Sequence, residues 1–140
     1  MSKIAIVTDS TAYLPSELVQ KHNLTITPLV VIWGEETLED GVDIQPTQFY
    51  TRLKTAKVMP STSQATPATM VSAFESLIAK DYNDILGIFI SSNLSGTIDS
   101  AIQAKDLMKK GAEKVTIVDS KTTAMALGFQ VMAVANAIED

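Results

Sequence analysis

The sequence contains no cysteine, which excludes several kinds of site at once. Without a thiol the chain forms no disulfide, offers no thiolate to a metal and has no cysteine nucleophile. Histidine is almost as scarce, because His22 is the only one in the chain. A metal site built from several histidines is therefore excluded, and we expect neither a metal nor a cofactor.

Clustered positive charge is missing as well. The 140 residues carry 11 Lys and Arg against 16 Asp and Glu, a formal net charge of −5, and no more than two positive charges are adjacent. A protein that binds nucleic acid usually presents a basic face, so we expect no nucleic-acid partner. With 46% hydrophobic and 19% charged residues, the composition is typical of one globular domain, which we predict over residues 1–140.

The sequence has little that is typical of a membrane segment. Residues 122–138 are uncharged, but these 17 residues include Thr, Gln and Asn. A membrane-spanning helix needs about 20 mostly apolar residues. The chain passes from Met1, Ser2 and Lys3 directly into an apolar segment, without the layout of a signal peptide. We therefore expect a soluble, cytoplasmic protein.

Short apolar segments alternate with segments of helical pattern along the chain. Strands are predicted over residues 3–8, 25–33, 85–90 and 115–118, and the second of them is broken by Pro28. Helices are predicted from Pro15, Pro46 and Pro67 onward, and over residues 97–110 and 122–138. Residues 36–41 are predicted to form an acidic turn, and residues 58–66 a hydroxyl-rich loop. Strands that are apolar throughout and alternate with helices predict an α/β fold, a mostly parallel sheet with helices on both faces.

Polar residues collect where the predicted strands end. In an open α/β sheet, ligands bind beyond the carboxyl ends of the strands. The segments at that edge are rich in hydroxyls and carry almost no lysine or arginine; they are Asp9-Ser10-Thr11, the loop around Thr62, residues 91–97 and Asp119-Ser120. We expect any ligand to bind there.

Two of these segments have both a functional and an ordinary interpretation. Ser95-Gly96-Thr97 opens a helix, where free backbone N–H groups and a hydroxyl form a cradle for an anion. Ser95 or Asn93 also suits a simple helix cap, and one residue can serve both purposes. Thr62-Ser63-Gln64 precedes a helix that begins with proline, and by itself resembles an ordinary turn.

The strand-end aspartates suggest a rival function. Asp9 and the Ser95-Gly96-Thr97 loop would serve a Mg²⁺-dependent phosphoryl-transfer or phosphatase enzyme. Aspartyl phosphatases carry a second aspartate two positions after the first, and here that position is Thr11, so the motif is incomplete. Strand-end aspartates more often bond to neighbouring loop N–H groups. His22 falls at a predicted helix end, which favours a surface position.

The last predicted helix is apolar nearly all round. Such a helix has to be covered on most sides. Either it packs into the core under the sheet, or it also contacts an apolar ligand or another domain, with its methionines as adaptable packing groups.

Taken together, these segments resemble the DegV family of bacterial lipid-binding proteins. The resemblance is carried by residues 8–15, by Asp40-Gly41-Val42-Asp43-Ile44 with Phe49-Tyr50, by Pro60-Ser61-Thr62-Ser63-Gln64, and by residues 90–97 with Ser100-Ala101. Val118-Asp119-Ser120 and Leu127-Gly128 extend it. The order and spacing of these stretches hold along the whole chain.

The resemblance implies an N-terminal α/β domain of a longer protein, without the second domain of the family. A long-chain fatty acid would lie between the two domains, and the missing half would be supplied by a C-terminal domain or a second chain. Apolar surface left uncovered by that half would favour a homodimer. Related members resemble the binding subunit of fatty acid kinase, which implies a carrier that presents the fatty acid to a separate catalytic subunit and is not itself an enzyme.

The resemblance also implies a set of site residues. The hydroxyls of Thr62 and Ser95 would hold the carboxylate at a helix N-terminus, with Ser63, Gly96 and Thr97 as further ligand-binding residues. For the acyl tail we expect contacts from five apolar residues: Leu29, Ile32, Leu94, Met125 and Phe129.

Overall fold

Strands and helices alternate along most of the chain, and the computed structural model describes residues 2–140. The strands are β1 (Ile4–Asp9), β2 (Thr25–Thr27), β3 (Val30–Trp33), β4 (Glu36–Glu39), β5 (Ser61–Ser63), β6 (Asp84–Phe89) and β7 (Val115–Asp119). The helices are α1 (Ser16–Lys21), α2 (Pro46–Leu53), α3 (Pro67–Ala79), α4 (Thr97–Leu107) and α5 (Ala124–Glu139). Single 3₁₀ turns lie at Ser10–Ala12 and Ala112–Lys114.

A four-stranded parallel sheet forms the centre of the fold. Its strand order is β2-β1-β6-β7, so the apolar strands β1 and β6 lie in the middle and pair from Ile4 with Asp84 to Thr8 with Ile88. Because side chains alternate along a strand, β1 and β6 bury residues on both faces of the sheet. The predicted parallel α/β fold is confirmed.

Helices cover both faces, each over its own core. On one face α3 and α4 pack against the sheet, around Met70, Phe74 and Phe89. On the other face α1 and α5 contribute to a core that includes Leu127 and Val131. The α5 helix therefore belongs to the core along one side, while its other side stays exposed at Phe129 and Ala133.

The segment over residues 25–33, predicted as a strand with a break at Pro28, forms two strands that belong to different sheets. Proline at position 28 lacks the backbone N–H that a continuous ladder needs, and the segment divides there into β2 and β3. Strand β3 leaves the parallel sheet and forms a second, antiparallel sheet of order β4-β3-β5. The predicted turn at residues 36–41 supplies β4, and the predicted loop at residues 58–66 supplies β5.

The antiparallel sheet has a small core of its own. Val31, Trp33 and Ile44 are buried, with Phe49 of α2 packed against them. A two-residue turn joins β3 to β4, and Gly34 has a φ of +64° there, in the left-handed region that glycine adopts without strain. This small unit places β5 and its hydroxyls beside the parallel sheet.

Across residues 2–140, no helix has the combination of length and apolar character that crossing a membrane requires.

Candidate functional site

A cavity of about 440 Å³ lies at the carboxyl edge of the parallel sheet. The loop after β6 contributes Leu94, Ser95 and Gly96 to its lining, and β5 contributes Thr62 and Ser63. These residues are about thirty positions apart in the chain. They meet because β5 pairs with β3, in which Thr62 lies opposite Val31, and this pairing brings the antiparallel sheet over the edge of the parallel one.

Asp9 joins the loops that form this edge. Its Oδ2 accepts the backbone N–H of Ile90 at 2.8 Å, and its Oδ1 accepts both the N–H and the hydroxyl of Thr11, at 2.9 and 2.5 Å. The side chain is fully buried, and this burial raises the pKa of the Asp9 carboxyl against the opposing effect of the hydrogen bonds. Asp9 is thus a structural link between the ends of β1 and β6.

The loop after β6 is tied down at several points. The N–H of Ser91 donates to the carbonyl of Thr122 at 2.8 Å, and the N–H of Ser95 donates back to the carbonyl of Ser91 at 3.1 Å. Ser92 donates its hydroxyl to Asp119 Oδ2 at 2.6 Å. Hydrogen bonds from Ser92 and from the backbone of Lys121 hold the pKa of the Asp119 carboxyl well below its ordinary value. These hydrogen bonds tie the loop that carries Ser95 to the end of β7 and to the segment before α5.

Ser95 both supports the start of α4 and faces the cavity. Its Oγ accepts the N–H of Thr97 at 3.2 Å and lies 2.9 Å from the hydroxyl of Thr97. The helix starts at Thr97 as predicted, and its N-cap position is Gly96, not either of the suggested caps Ser95 and Asn93. The N-terminus of α4 lies beside the cavity, and it carries the partial positive charge of a helix N-terminus. Thr97, by contrast, is fully buried and does not line the cavity.

Gln64 also lines this cavity, and this role was not predicted from the sequence. Its amide packs over Gly96, where an added Cβ would lie 3.1 Å from Gln64 Nε2. Gly96 therefore allows β5 and the start of α4 to approach each other closely. Gln64 falls within the stretches that carry the family resemblance, which was the available signal.

Tyr13 and Asp40 were also overlooked. Both line the hydroxyl-rich cavity, and both line a neighbouring cavity of about 650 Å³ with apolar walls that include Leu14 and Ile26. Partial burial, and next the charge of Asp40, raise the pKa of Tyr13. Asp40-Gly41 is typical of a turn, and the signal available for Asp40 and Tyr13 was that both fall within the stretches that carry the family resemblance.

Of the five residues expected to contact an acyl tail, two line the cavity and three do not. Leu29 and Leu94 line the same cavity as Thr62 and Ser95. Ile32, Met125 and Phe129 do not line it; all three are exposed, and Phe129 shows 68% of its surface. Met125 and Phe129 lie one turn apart on the outer side of α5.

Among the residues that the structure describes, titratable side chains do not gather into a metal site. Within residues 2–140, no group of three or more His, Asp or Glu side chains is placed to hold a metal ion.

The expectation of a surface position for His22 is wrong, because its side chain is only 2% exposed and its Nδ1 lies 2.5 Å from Glu139 Oε1. It connects the end of α1 to the end of α5, where a glutamate from far along the chain covers it.

Comparison with known proteins gives a consistent answer. The sequence model of a family described as "Uncharacterised protein, DegV family" matches residues 3–140. The chain is 34% identical over 137 residues to Protein DegV of Bacillus subtilis, covering 98% of this chain and 48% of that protein. It is 32% identical over 139 residues to a DegV domain-containing protein of Clostridium perfringens, covering 99% and 49%. The chain thus spans about half the length of the curated relatives it matches.

Solved structures agree with the sequence comparison. DegV of Bacillus subtilis, described as a fatty acid binding protein, superposes with a TM-score of 0.89 at 33% identity, over 99% of this chain and 48% of that one. A stearic acid-binding protein from Eubacterium ventriosum superposes with a TM-score of 0.90 at 30% identity, over 100% and 48%. With the same fold and a family match along nearly its whole length, the chain belongs to the DegV family.

Proposed function

We propose that the protein binds a long-chain fatty acid and holds its carboxylate with the hydroxyls of Thr62 and Ser95. The observation that carries this proposal is that the two hydroxyl residues, distant in sequence, line one cavity at the carboxyl edge of the sheet. The solved relatives described as fatty acid binding proteins support the ligand class. Ser63 and Gly96 line the same cavity and are proposed as further head-group contacts.

The chemistry of the cavity suits a carboxylate. Hydroxyl donors form charge-assisted hydrogen bonds to an anion, and the N-terminus of α4 adds a favourable partial charge. No lysine or arginine lines the cavity within residues 2–140. Asp40, which does line it, opposes an anion there, so we propose that the hydroxyls orient the head group while the tail supplies most of the affinity.

The acyl tail is proposed to start at Leu29 and Leu94 beside the head group. Met125 and Phe129 form exposed apolar surface on α5, and with Ile32 they are proposed to contact the tail once the other half of a longer protein covers them. Burial of each CH₂ contributes about 0.8 kcal/mol, so a palmitoyl tail has roughly 10 kcal/mol available before entropic costs. The chain spans only about half the length of its relatives. We therefore propose that a complete binding tunnel for the tail needs the other half, as a further domain or as a separate chain.

We also propose that the protein is a carrier that presents the fatty acid to the catalytic subunit of a fatty acid kinase. Thr62 and Leu94 are exposed at the cavity, so the head group would be open to a second protein. The rival phosphoryl-transfer function has less support, because both oxygens of Asp9 already accept protein hydrogen bonds and the side chain is fully buried. Formation of acyl phosphate from ATP and the loaded protein, only when the kinase subunit is added, tests the carrier role.

Two substitutions test the head-group site. Thr62→Ala and Ser95→Ala each remove one hydroxyl, and each is expected to weaken palmitate binding by about 1–3 kcal/mol in a titration with fluorescent fatty acid. Ser61→Ala is the matched control, since Ser61 lies in the same strand, is exposed, and does not line the cavity. Unchanged affinity in both cavity variants would show that these hydroxyls do not hold the head group.

A further inference from the structure

Thr97 is buried beside the proposed head-group site without facing it. It occupies the first position of α4, and none of its surface is exposed. A side chain in that position does not touch a ligand in the cavity. Its hydroxyl does reach the site through a neighbour, because Thr97 Oγ1 lies 2.9 Å from Ser95 Oγ. The hydroxyl of Thr97 therefore acts on the site through Ser95.

Burial decides which of the two hydroxyls donates. Within the described residues, Ser95 Oγ is the one hydrogen-bond partner of Thr97 Oγ1. If Ser95 donated its proton to Thr97, the proton of Thr97 would be buried with no acceptor, which is unfavourable. If Thr97 donates, its own proton is satisfied and the proton of Ser95 stays free. The second arrangement is the stable one.

The remaining hydrogen-bond capacity of Ser95 follows from the number of protons and lone pairs on its hydroxyl. A serine hydroxyl has one proton and two acceptor lone pairs. Ser95 Oγ already accepts the backbone N–H of Thr97 at 3.2 Å. With the hydroxyl of Thr97 as a second donor, both lone pairs are occupied. The proton of Ser95 is then available to an acceptor in the cavity that this residue lines.

We infer that Thr97 is a positioning residue: its hydroxyl donates to Ser95 Oγ and thereby holds the Ser95 hydroxyl as a donor toward the ligand. The inference rests on the proposed function, which makes Ser95 a head-group contact. This arrangement of the two hydroxyls makes the site selective for a head group that accepts hydrogen bonds, above all an ionised carboxylate. A head group that donates finds no free lone pair on Ser95.

The test compares two ligands in two variants. Thr97→Val removes the hydroxyl with little change of shape, and Thr97→Ser, the matched control, keeps it. Affinities for palmitate and for hexadecanol, the alcohol of the same chain length, are measured by competition with a fluorescent fatty acid. Thr97→Val is expected to weaken palmitate binding about tenfold and hexadecanol binding less than about twofold, because the neutral alcohol oxygen accepts a weaker hydrogen bond from Ser95 than the charged carboxylate does. Thr97→Ser is expected to keep the palmitate affinity of the unmodified protein.

Other outcomes would overturn the inference in distinguishable ways. Equal losses for the acid and the alcohol would mean that Thr97 only maintains the shape of the loop. If Ser95→Ala weakens palmitate binding and Thr97→Val does not, the inference fails and the proposed function stands. If Ser95→Ala has no effect, both fail. Circular dichroism checks the fold of each variant, and Thr97→Ala replaces Thr97→Val if the latter does not fold.

Discussion

Gly128 of α5 offers a sharp test of how this helix packs. Replacing a helical glycine by alanine ordinarily stabilises a protein by about 0.5–1 kcal/mol, because alanine loses less backbone entropy on folding. At Gly128 the added Cβ would lie 2.7 Å from the carbonyl oxygen of Ala12 and 3.2 Å from Leu14 Cδ2. The first of these atoms belongs to the backbone of the 3₁₀ turn after β1, so it has little freedom to move.

The expected result follows from comparing these two effects. Overpacking of a well-packed site costs about 1–3 kcal/mol, which exceeds the gain in helix propensity. We therefore expect Gly128→Ala to lower the free energy of unfolding by about 1–2 kcal/mol in urea titrations. The added Cβ would also displace the backbone of Ala12, which lines the cavity of about 650 Å³ together with Tyr13.

A position on the other side of the same helix serves as the control. Ala133 is exposed, so Ala133→Gly is expected to destabilise by about 0.5–1 kcal/mol through propensity alone. Alanine is thus preferred at position 133 and glycine at position 128. A Gly128→Ala variant as stable as the unmodified protein, or more stable, would refute the close contact between α5 and the turn.

Two further predictions concern charged groups near the site. Hydrogen bonds lower the pKa of Asp119 below its ordinary value of 3.8, so its contribution to stability is present above that pH and is lost as the pH falls further. Asp119→Asn is expected to destabilise the protein at neutral pH, and the difference from the unmodified protein should shrink as the pH is lowered from about 5 to about 3; a difference independent of pH would contradict this. Asp40→Asn removes a negative charge from the cavity lining and is expected to strengthen palmitate binding about twofold to fivefold, with a smaller gain at high salt. Glu35→Gln, which lines neither cavity, should leave the affinity unchanged, and equal gains in both variants would contradict a local effect of Asp40.

The sequence alone was enough for the central sheet but not for the smaller one. Strands β1 and β6 are short, apolar and buried on both faces, so their composition marks them as strands. Strands β4 and β5 are polar and mostly exposed. They are strands because β3 lies between them and pairs with both, and no local property of Ser61-Thr62-Ser63 encodes that long-range pairing.

The site was predictable to a similar extent. The family resemblance brought Thr62 and Ser95 together as candidates, and the structure has both in one cavity. The burial of Thr97 was not predictable, since a threonine at the first position of a helix is usually accessible. The involvement of Asp40 was missed because its neighbour Gly41 marks the segment as a turn. Side-chain direction at a sheet edge depends on how loops pack, which one-dimensional patterns do not record.

The most direct test of the fatty-acid site observes the head group itself. Palmitate labelled with ¹³C at its carboxyl carbon gives an NMR signal whose position reports the hydrogen bonds around that carbon. The account predicts a bound signal, distinct from that of free palmitate, that shifts in Thr62→Ala and in Ser95→Ala and stays in place in Ser61→Ala. A bound signal at the same position in all four proteins, or no bound signal, would contradict a carboxylate held between Thr62 and Ser95.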